Sequence, residues 1–158
     1  MTSSTFGTLL LLSLVWTPIP AAVAAQNALT VRDRLEIQEL YARYAQTFDL
    51  GDAEGWANTF AEDGVFGASQ GRTELIEYAK GRFPRYGGHS RHWNSQLTLT
   101  PTTDGVRGVV YIMLWDVGTR PRTIIASGIY RDIIVKTPEG WRFKTRVVEG
   151  DQPTDGGN

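Results

Sequence analysis

The chain has 158 residues, of which 41% are hydrophobic and 21% are charged, with a formal net charge of −1 at pH 7. This length allows one domain with a substantial core, and the charge gives no electrostatic basis for binding nucleic acid or an anionic membrane. The absence of cysteine excludes disulfides, thiol catalysis, thiolate metal sites and iron–sulfur clusters.

Residues 1–25 have the composition of a secretory signal peptide. They carry no charged side chain and contain an apolar run from Leu9 to Trp16, then two prolines and the small residues Val23-Ala24-Ala25. The run is too short to span a bilayer, which disfavours a membrane anchor. We expect cleavage near residue 25, a secreted or periplasmic protein without membrane association, a domain from 26 to 150, and a flexible tail at 151–158.

The first predicted helix begins at the N-cap Thr30 and ends near Leu50-Gly51. Asp33 lies in its first turn, where an acid is favourable, and glycine supplies the positive φ that ends many helices. Apolar residues recur at helical spacing between these ends, namely Val31, Leu35, Leu40, Tyr41, Tyr44, Ala45 and Phe48.

Two further helices are predicted before the hydrophobic pattern changes from helical to strand-like spacing. Asp52 can cap a short helix that carries an apolar set ending at Ala61, and Asp63-Gly64 indicates a turn before a strand that begins at Val65-Phe66. The third helix is predicted from Thr73 to Phe83.

The second half of the chain predicts four strands joined in sequence. They run from Trp93 to Thr100, Val106 to Val117, Thr123 to Lys136 and Trp141 to Glu149. Helices followed by hairpin-linked strands indicate an α+β fold, with three helices packed on one face of a curved, mostly antiparallel sheet.

The second and third predicted strands are apolar on both faces. One face can pack on the helices, so the other needs to be covered by a ligand or by a partner subunit. The simplest expectation is a homodimer, or a higher homo-oligomer, formed through the sheet.

Four segments carry a family resemblance. They read RLEIQELYARYAQTFDLGDAEGWANTFAEDGVF, GRTELIEYAKGRF, HSRHWNSQLTLT and GWRFKTR. Together they resemble the SnoaL-like group of the nuclear-transport-factor-2-like superfamily, over about Val31 to Val148. The resemblance implies a cone-shaped α+β barrel, but that superfamily contains dehydratases, ketosteroid isomerases, epoxide hydrolases, polyketide cyclases and non-catalytic binding proteins, so fold alone does not select a reaction.

The site pattern is similar to that of scytalone dehydratase and bile-acid 7α-dehydratase. The resemblance implies that Tyr44 and Asp49, on the first helix, face His92 at the start of a strand. It also places a further acid near Asp116 and a pocket arginine at Arg146, with Arg142 as a less favoured position.

The chemistry of Asp49 and His92 supports this pairing. Histidine can transfer a proton near neutral pH, and a carboxylate bonded to its other ring nitrogen fixes the tautomer and stabilises the charged form. The structural alternative is a solvated Asp49 at the helix end and a histidine that merely begins a strand.

The remaining candidates are substrate-contacting residues that could equally be core or surface. Asn94 could donate to a substrate oxygen, and His89 could gate the pocket mouth; the loose spacing of the two histidines does not favour a metal site. The full substrate-binding set is Asn94, Asp116, Arg146, Trp56, Phe60, Phe66, Met113, Trp115 and His89.

We therefore expect a cofactor-independent acid–base enzyme, of dehydratase or other lyase type, that acts on a small, largely apolar cyclic or polyketide-like substrate. An isomerase, a cyclase or an epoxide hydrolase using the same pocket is the enzymatic alternative. A non-catalytic small-molecule-binding protein is the other.

Overall fold

The computed structural model describes residues 28–84 and 88–152. The expected signal peptide and residues 153–158 of the expected tail lie outside this range, so export stays a sequence-based prediction. No helix in the described part of the chain is long and apolar enough to cross a membrane.

The described residues form three helices and six strands, and two of the strands precede the third helix. The helices are α1 (Val31–Asp49), α2 (Ala53–Ala57) and α3 (Gly71–Arg82). The strands are β1 (Phe60–Phe66), β2 (Ser69–Gln70), β3 (Ser90–Pro101), β4 (Val106–Asp116), β5 (Thr123–Thr137) and β6 (Gly140–Gly150).

The residues at the two ends of helix α1 explain where it begins and ends. The Thr30 hydroxyl accepts the backbone N–H of Asp33 at 3.0 Å, and the Asp33 carboxylate accepts the backbone N–H of Thr30 at 3.1 Å, which is a capping box. At the other end Gly51 has φ +77°, a conformation that glycine adopts without steric cost. This confirms the predicted start and end of α1 and makes Asp49 its last residue.

The six strands form one sheet in the order β2-β1-β6-β5-β4-β3. Four neighbouring pairs are antiparallel, and β1 pairs with β6 in parallel. The α+β class is confirmed, with a mixed, curved sheet. Strands β2 and β3 are its two edges.

The prediction for residues 58–64 was wrong in one respect. Helix α2 ends at Ala57, and Phe60 already belongs to β1, so Asp63-Gly64 lies inside a strand and not in a turn. The register of β1 against β6 shifts between Phe60 and Val65. A β-carbon on Gly64 would lie 2.8 Å from the Phe60 side chain, so this glycine marks a close approach within an irregular strand.

The core lies between the helices and one face of the sheet, which we call the inner face, and it is mainly aromatic. Tyr44 sits near its centre, with ring centroids 5.5 Å from Trp56, 5.7 Å from Phe143 and 5.9 Å from Tyr130. The strands contribute alternate residues to this face, including Val106, Val110, Ile112, Leu114, Tyr130, Ile134, Trp141 and Phe143.

Two glycines make a matched test of this packing. A β-carbon on Gly108 would lie 2.2 Å from the Tyr41 hydroxyl, so Gly108→Ala should destabilise the protein by about 1–3 kcal/mol through overpacking. A β-carbon on Gly81, in α3, would meet nothing within 4 Å, so Gly81→Ala should stabilise the protein by roughly 0.5–1 kcal/mol. Equilibrium urea unfolding measures both, and equal free energies for the two variants would contradict this packing.

Candidate active site

Asp49 and His92 form a buried pair that joins α1 to β3. One carboxylate oxygen of Asp49, Oδ1, lies 2.7 Å from His92 Nδ1, and the other, Oδ2, accepts the backbone N–H of His92 at 2.7 Å. The Ser90 hydroxyl lies 3.4 Å from Oδ1. The two side chains are only 4% (His92) and 7% (Asp49) exposed. The carboxylate is therefore held by two strong contacts to a single residue of the sheet.

This geometry fixes the protonation pattern of the ring. An ionised carboxylate only accepts hydrogen bonds, so Nδ1 carries the proton and donates it to Asp49. In the neutral ring the lone pair is then on Nε2. The structure gives Nε2 no hydrogen-bond partner among the described residues, which leaves this nitrogen for a ligand.

The His92 ring lines a cavity of about 520 Å³ on the inner face of the sheet. The ring meets Tyr44 and Phe48 edge-on, with centroid distances of 6.0 and 5.4 Å. The wall is mostly apolar and aromatic, and its other members include Phe66, Tyr78, Ile112, Leu114, Ala126, Tyr130 and Val148. We call this space the inner cavity; its volume is in the range of small-molecule sites.

A second space, which we call the outer cleft, lies between the exposed side of α1 and the edge strand β3. It measures about 450 Å³ and is lined by Asp49, Arg91, His92 and Asn94, among others. Asn94 therefore faces the outer cleft and not the inner cavity, and its buried Oδ1 has no hydrogen-bond partner in the described structure. The His92 ring contributes to both spaces.

Tyr44 lines the inner cavity, and the residue is buried from bulk solvent. Burial raises the pKa of Tyr44, and the nearby Arg146 guanidinium opposes that rise. The phenol therefore stays protonated and can donate a hydrogen bond. Tyr130 faces it from β5 and was missed by the sequence analysis, although strand alternation places Tyr130 on the inner face with Ile134.

Arg146 lies beneath this layer of tyrosines and is completely buried. Its Nε and Nη2 donate to the two oxygens of Asp132 at 2.7 and 2.8 Å, and the Tyr41 hydroxyl also donates to Asp132. Arg146 is therefore the partner of Asp132, not of Asp49 or Asp116, and it does not line the inner cavity. Asp132 was also missed, although it shares the strand parity of Tyr130.

Several predicted substrate contacts are corrected by the structure. Met113 and Trp115 lie on the opposite, outer face of the sheet, since they alternate with the inward Ile112 and Leu114. Asp116 ends β4, where its carboxylate accepts the backbone N–H of Gly118 at 2.8 Å, outside both spaces. An acid at a strand end caps the following turn more readily than it enters a cavity.

The other predicted contacts divide between wall and core. Phe66 lines the inner cavity, whereas Trp56 and Phe60 are buried behind it. His89 is exposed and lines neither space; a β-carbon on Gly118 would touch its ring. No three His, Asp or Glu side chains come together as a metal-binding group within residues 28–84 and 88–152.

A sequence profile described as the SnoaL-like domain matches residues 29–147, which is most of the chain. The protein belongs to the SnoaL-like family. This confirms the resemblance seen in the sequence, and the α+β architecture is that of the nuclear-transport-factor-2-like fold. The SnoaL-like family includes enzymes, often ones that tailor polyketides, beside many members of unknown function.

Three similar proteins show how far the similarity extends in sequence and in structure. An uncharacterised protein of Mycobacterium tuberculosis is 26% identical over 126 residues, covering 74% of this chain and 84% of that protein. An NTF2-like protein with a cystatin-like fold from Novosphingobium aromaticivorans has a TM-score of 0.73, 24% identity, and coverage of 87% of this chain and 93% of its own. A Catenulispora acidiphila protein, solved in complex with S-DNPA, has a TM-score of 0.69, 26% identity, and coverage of 77% and 96%.

The buried ion pair of this SnoaL-like protein gives a stability test. Arg146→Leu leaves the Asp132 carboxylate buried without its cation, so we expect a loss of about 3–5 kcal/mol in the free energy of unfolding. The double variant Asp132→Leu/Arg146→Leu removes both charges and should be closer to the wild type. Urea unfolding followed by circular dichroism measures the difference, and a double variant as unstable as the single one would show that the pair is not coupled.

Proposed function

We propose that this protein is a cofactor-independent acid–base enzyme that abstracts a proton next to the carbonyl of a small, apolar cyclic substrate and drives loss of water. The observation that carries the proposal is the Asp49–His92 contact at 2.7 Å, with the His92 ring on the wall of the inner cavity. A buried carboxylate that orients an imidazole is the arrangement expected for a general base.

The proposed reaction begins at Nε2 of His92. This nitrogen accepts the proton on the carbon beside the carbonyl, and the C–H electron pair forms the enolate double bond while the carbonyl π pair moves to oxygen. The enolate then expels a β-hydroxyl group, which takes the proton back from the imidazolium and leaves as water. Asp49 keeps the ring oriented and balances its positive charge during the cycle.

Tyr44 is proposed to hydrogen-bond the substrate oxygen as it gains negative charge. Its ring lies 6.0 Å from that of His92, so a small substrate can contact both groups. Positioned acid–base catalysis contributes roughly 10²–10⁴-fold, and donors fixed in a water-poor cavity add to this because their dipoles are already oriented.

The alternative reactions differ in what they need from the site. Epoxide opening would use Asp49, Asp116 and Arg146 around one water, and this is disfavoured because Asp116 caps a turn and Arg146 is bonded to Asp132. Isomerisation or cyclisation would use the same proton abstraction, so product analysis separates these from dehydration. In a purely binding protein the contact between Asp49 and His92 would serve only to attach β3 to α1, and no substrate would turn over.

The two histidines of the chain provide a matched test. His92→Ala should leave the fold nearly intact and abolish turnover, whereas His89→Ala should retain it, because His89 is exposed and lines neither space. A thermal-shift screen of hydroxy-ketones and polycyclic phenols identifies ligands, and chromatography of the products of each hit measures turnover. Full activity in His92→Ala would exclude this mechanism.

We also propose that the outer face of the sheet binds a second copy of the chain. Large apolar side chains are exposed there, including Trp93 (61%), Tyr111 (54%) and Val147 (54%). An apolar surface of this kind is unusual for a monomer and typical of an interface.

Val147→Glu should disrupt this dimer, because the new charge would be buried in an apolar contact. Val31→Glu is the control, since Val31 is 75% exposed at the start of α1 and away from the sheet. Size-exclusion chromatography with light scattering at micromolar concentration gives the mass. A wild-type monomer, or a Val147→Glu dimer as stable as the control, would refute the interface.

A further inference from the structure

Arg82 brings a permanent positive charge to the wall of the inner cavity. It is the last residue of α3, it is half-buried, and it lines the cavity together with Ser69 of the short strand β2. No Asp or Glu is among the residues that line this space. The wall of the cavity therefore offers a bound anion a cation and no carboxylate that would repel it.

An aromatic stack holds Arg82 in this position. The guanidinium carbon lies 5.2 Å from the ring centroid of Tyr78, which is a cation–π contact. The Tyr78 ring in turn stacks on Trp56, with centroids 5.7 Å apart, and meets the edge of Phe66 at 5.0 Å. Because Trp56 and Phe66 are both buried, Arg82 packs against a ring that the core holds in place.

The N–H donors of Arg82 are left for a ligand. Among the described residues Arg82 makes the contact with Tyr78 but no ion pair, and the residue one helical turn before it is Tyr78 instead of an acid. Lys80, in the same last turn of α3, differs because it lies 3.3 Å from Glu77. A guanidinium whose donors have no acceptor in the protein is suited to a carboxylate, which can accept two parallel N–H bonds from it.

We propose that Arg82 binds a carboxylate group of the substrate, so that the inner cavity takes an apolar cyclic ketone that also carries an acidic group. The inference rests on the proposed function, because it specifies the substrate of the same cavity. The ring packs against the aromatic wall, and the carboxylate binds Arg82, with the Ser69 hydroxyl as a further donor. A charge fixed at one point orients a ring that the apolar wall alone does not orient, and this places the reacting carbonyl beside His92.

The test uses 2-naphthoate and 2-naphthamide, two probes with the same rings and nearly the same size that differ in charge. Neither probe has an enolisable ketone, so isothermal titration calorimetry measures binding without turnover. The wild type should bind 2-naphthoate more tightly than 2-naphthamide. Arg82→Gln should weaken the binding of 2-naphthoate about tenfold, since a charge-assisted contact is lost, and leave that of 2-naphthamide unchanged.

Two further variants test the position of the contact. Lys80→Gln is the matched control, because it removes a positive charge from the same turn of α3 but Lys80 lines neither the inner cavity nor the outer cleft. It should leave both affinities unchanged. Ala126→Trp places a large side chain at an exposed position that lines the inner cavity, so it should weaken the binding of both probes.

Three results would overturn the proposal. The first is full affinity of Arg82→Gln for 2-naphthoate, or a loss that Lys80→Gln reproduces. The second is a wild type that does not prefer 2-naphthoate, and this comparison decides even if Arg82→Gln does not fold. The third is unchanged binding of both probes to Ala126→Trp, which would put the contact with Arg82 outside the inner cavity.

These outcomes are separable from those that test the proposed function. An inactive His92→Ala variant, together with a wild type that does not prefer 2-naphthoate, would leave the acid–base enzyme in place and remove the carboxylate from its substrate. An active His92→Ala variant, together with a preference for 2-naphthoate that depends on Arg82, would remove the enzyme mechanism and leave carboxylate binding in the inner cavity.

Discussion

The contact between the Asp49 carboxylate and His92 is the constraint on which the site depends. An acid at the last residue of a helix is disfavoured by the helix dipole, and burial makes it costlier still. Here the carboxylate is retained because the backbone and ring N–H groups of His92 both donate to it at 2.7 Å. The same contact attaches the edge strand β3 to α1, so the carboxylate that orients the imidazole also holds the sheet against the helix.

A second buried charge pair, Arg146–Asp132, lies beneath the tyrosines of the inner-cavity wall. It stabilises the tyrosine layer from the side away from the cavity, and the Tyr41 hydroxyl completes the carboxylate's contacts. The wall of the cavity is mostly apolar, and its polar groups are the imidazole of His92, the tyrosine phenols, Ser69 and the charged Arg82. A bound molecule can therefore orient its own polar atoms only toward these few groups.

The sequence predicts most of the fold because its signals are local. The Thr30–Asp33 cap and Gly51 determine the ends of α1, and the Asp49–His92 pair follows from the family pattern. The misses have two causes, one local and one of longer range. Met113 and Trp115 were grouped with the core although period-two alternation points them outward, and a register shift in β6 decides that Arg146 is inward with Phe143. No local signal marks such a shift, and the bond between Arg146 and Asp132 requires the assembled sheet.

The His92 ring separates two environments, and this asymmetry bears on how the pair could work. Its carboxylate partner lines the outer cleft, beside Arg91 and Asn94, whereas the ring also reaches the apolar inner cavity. The Asp49 carboxylate contacts the ring at 2.7 Å, so an imidazolium formed by proton transfer from a ligand would be balanced where it forms. The proposed base would thus combine a buried counter-charge with a mostly apolar space that keeps a substrate from water.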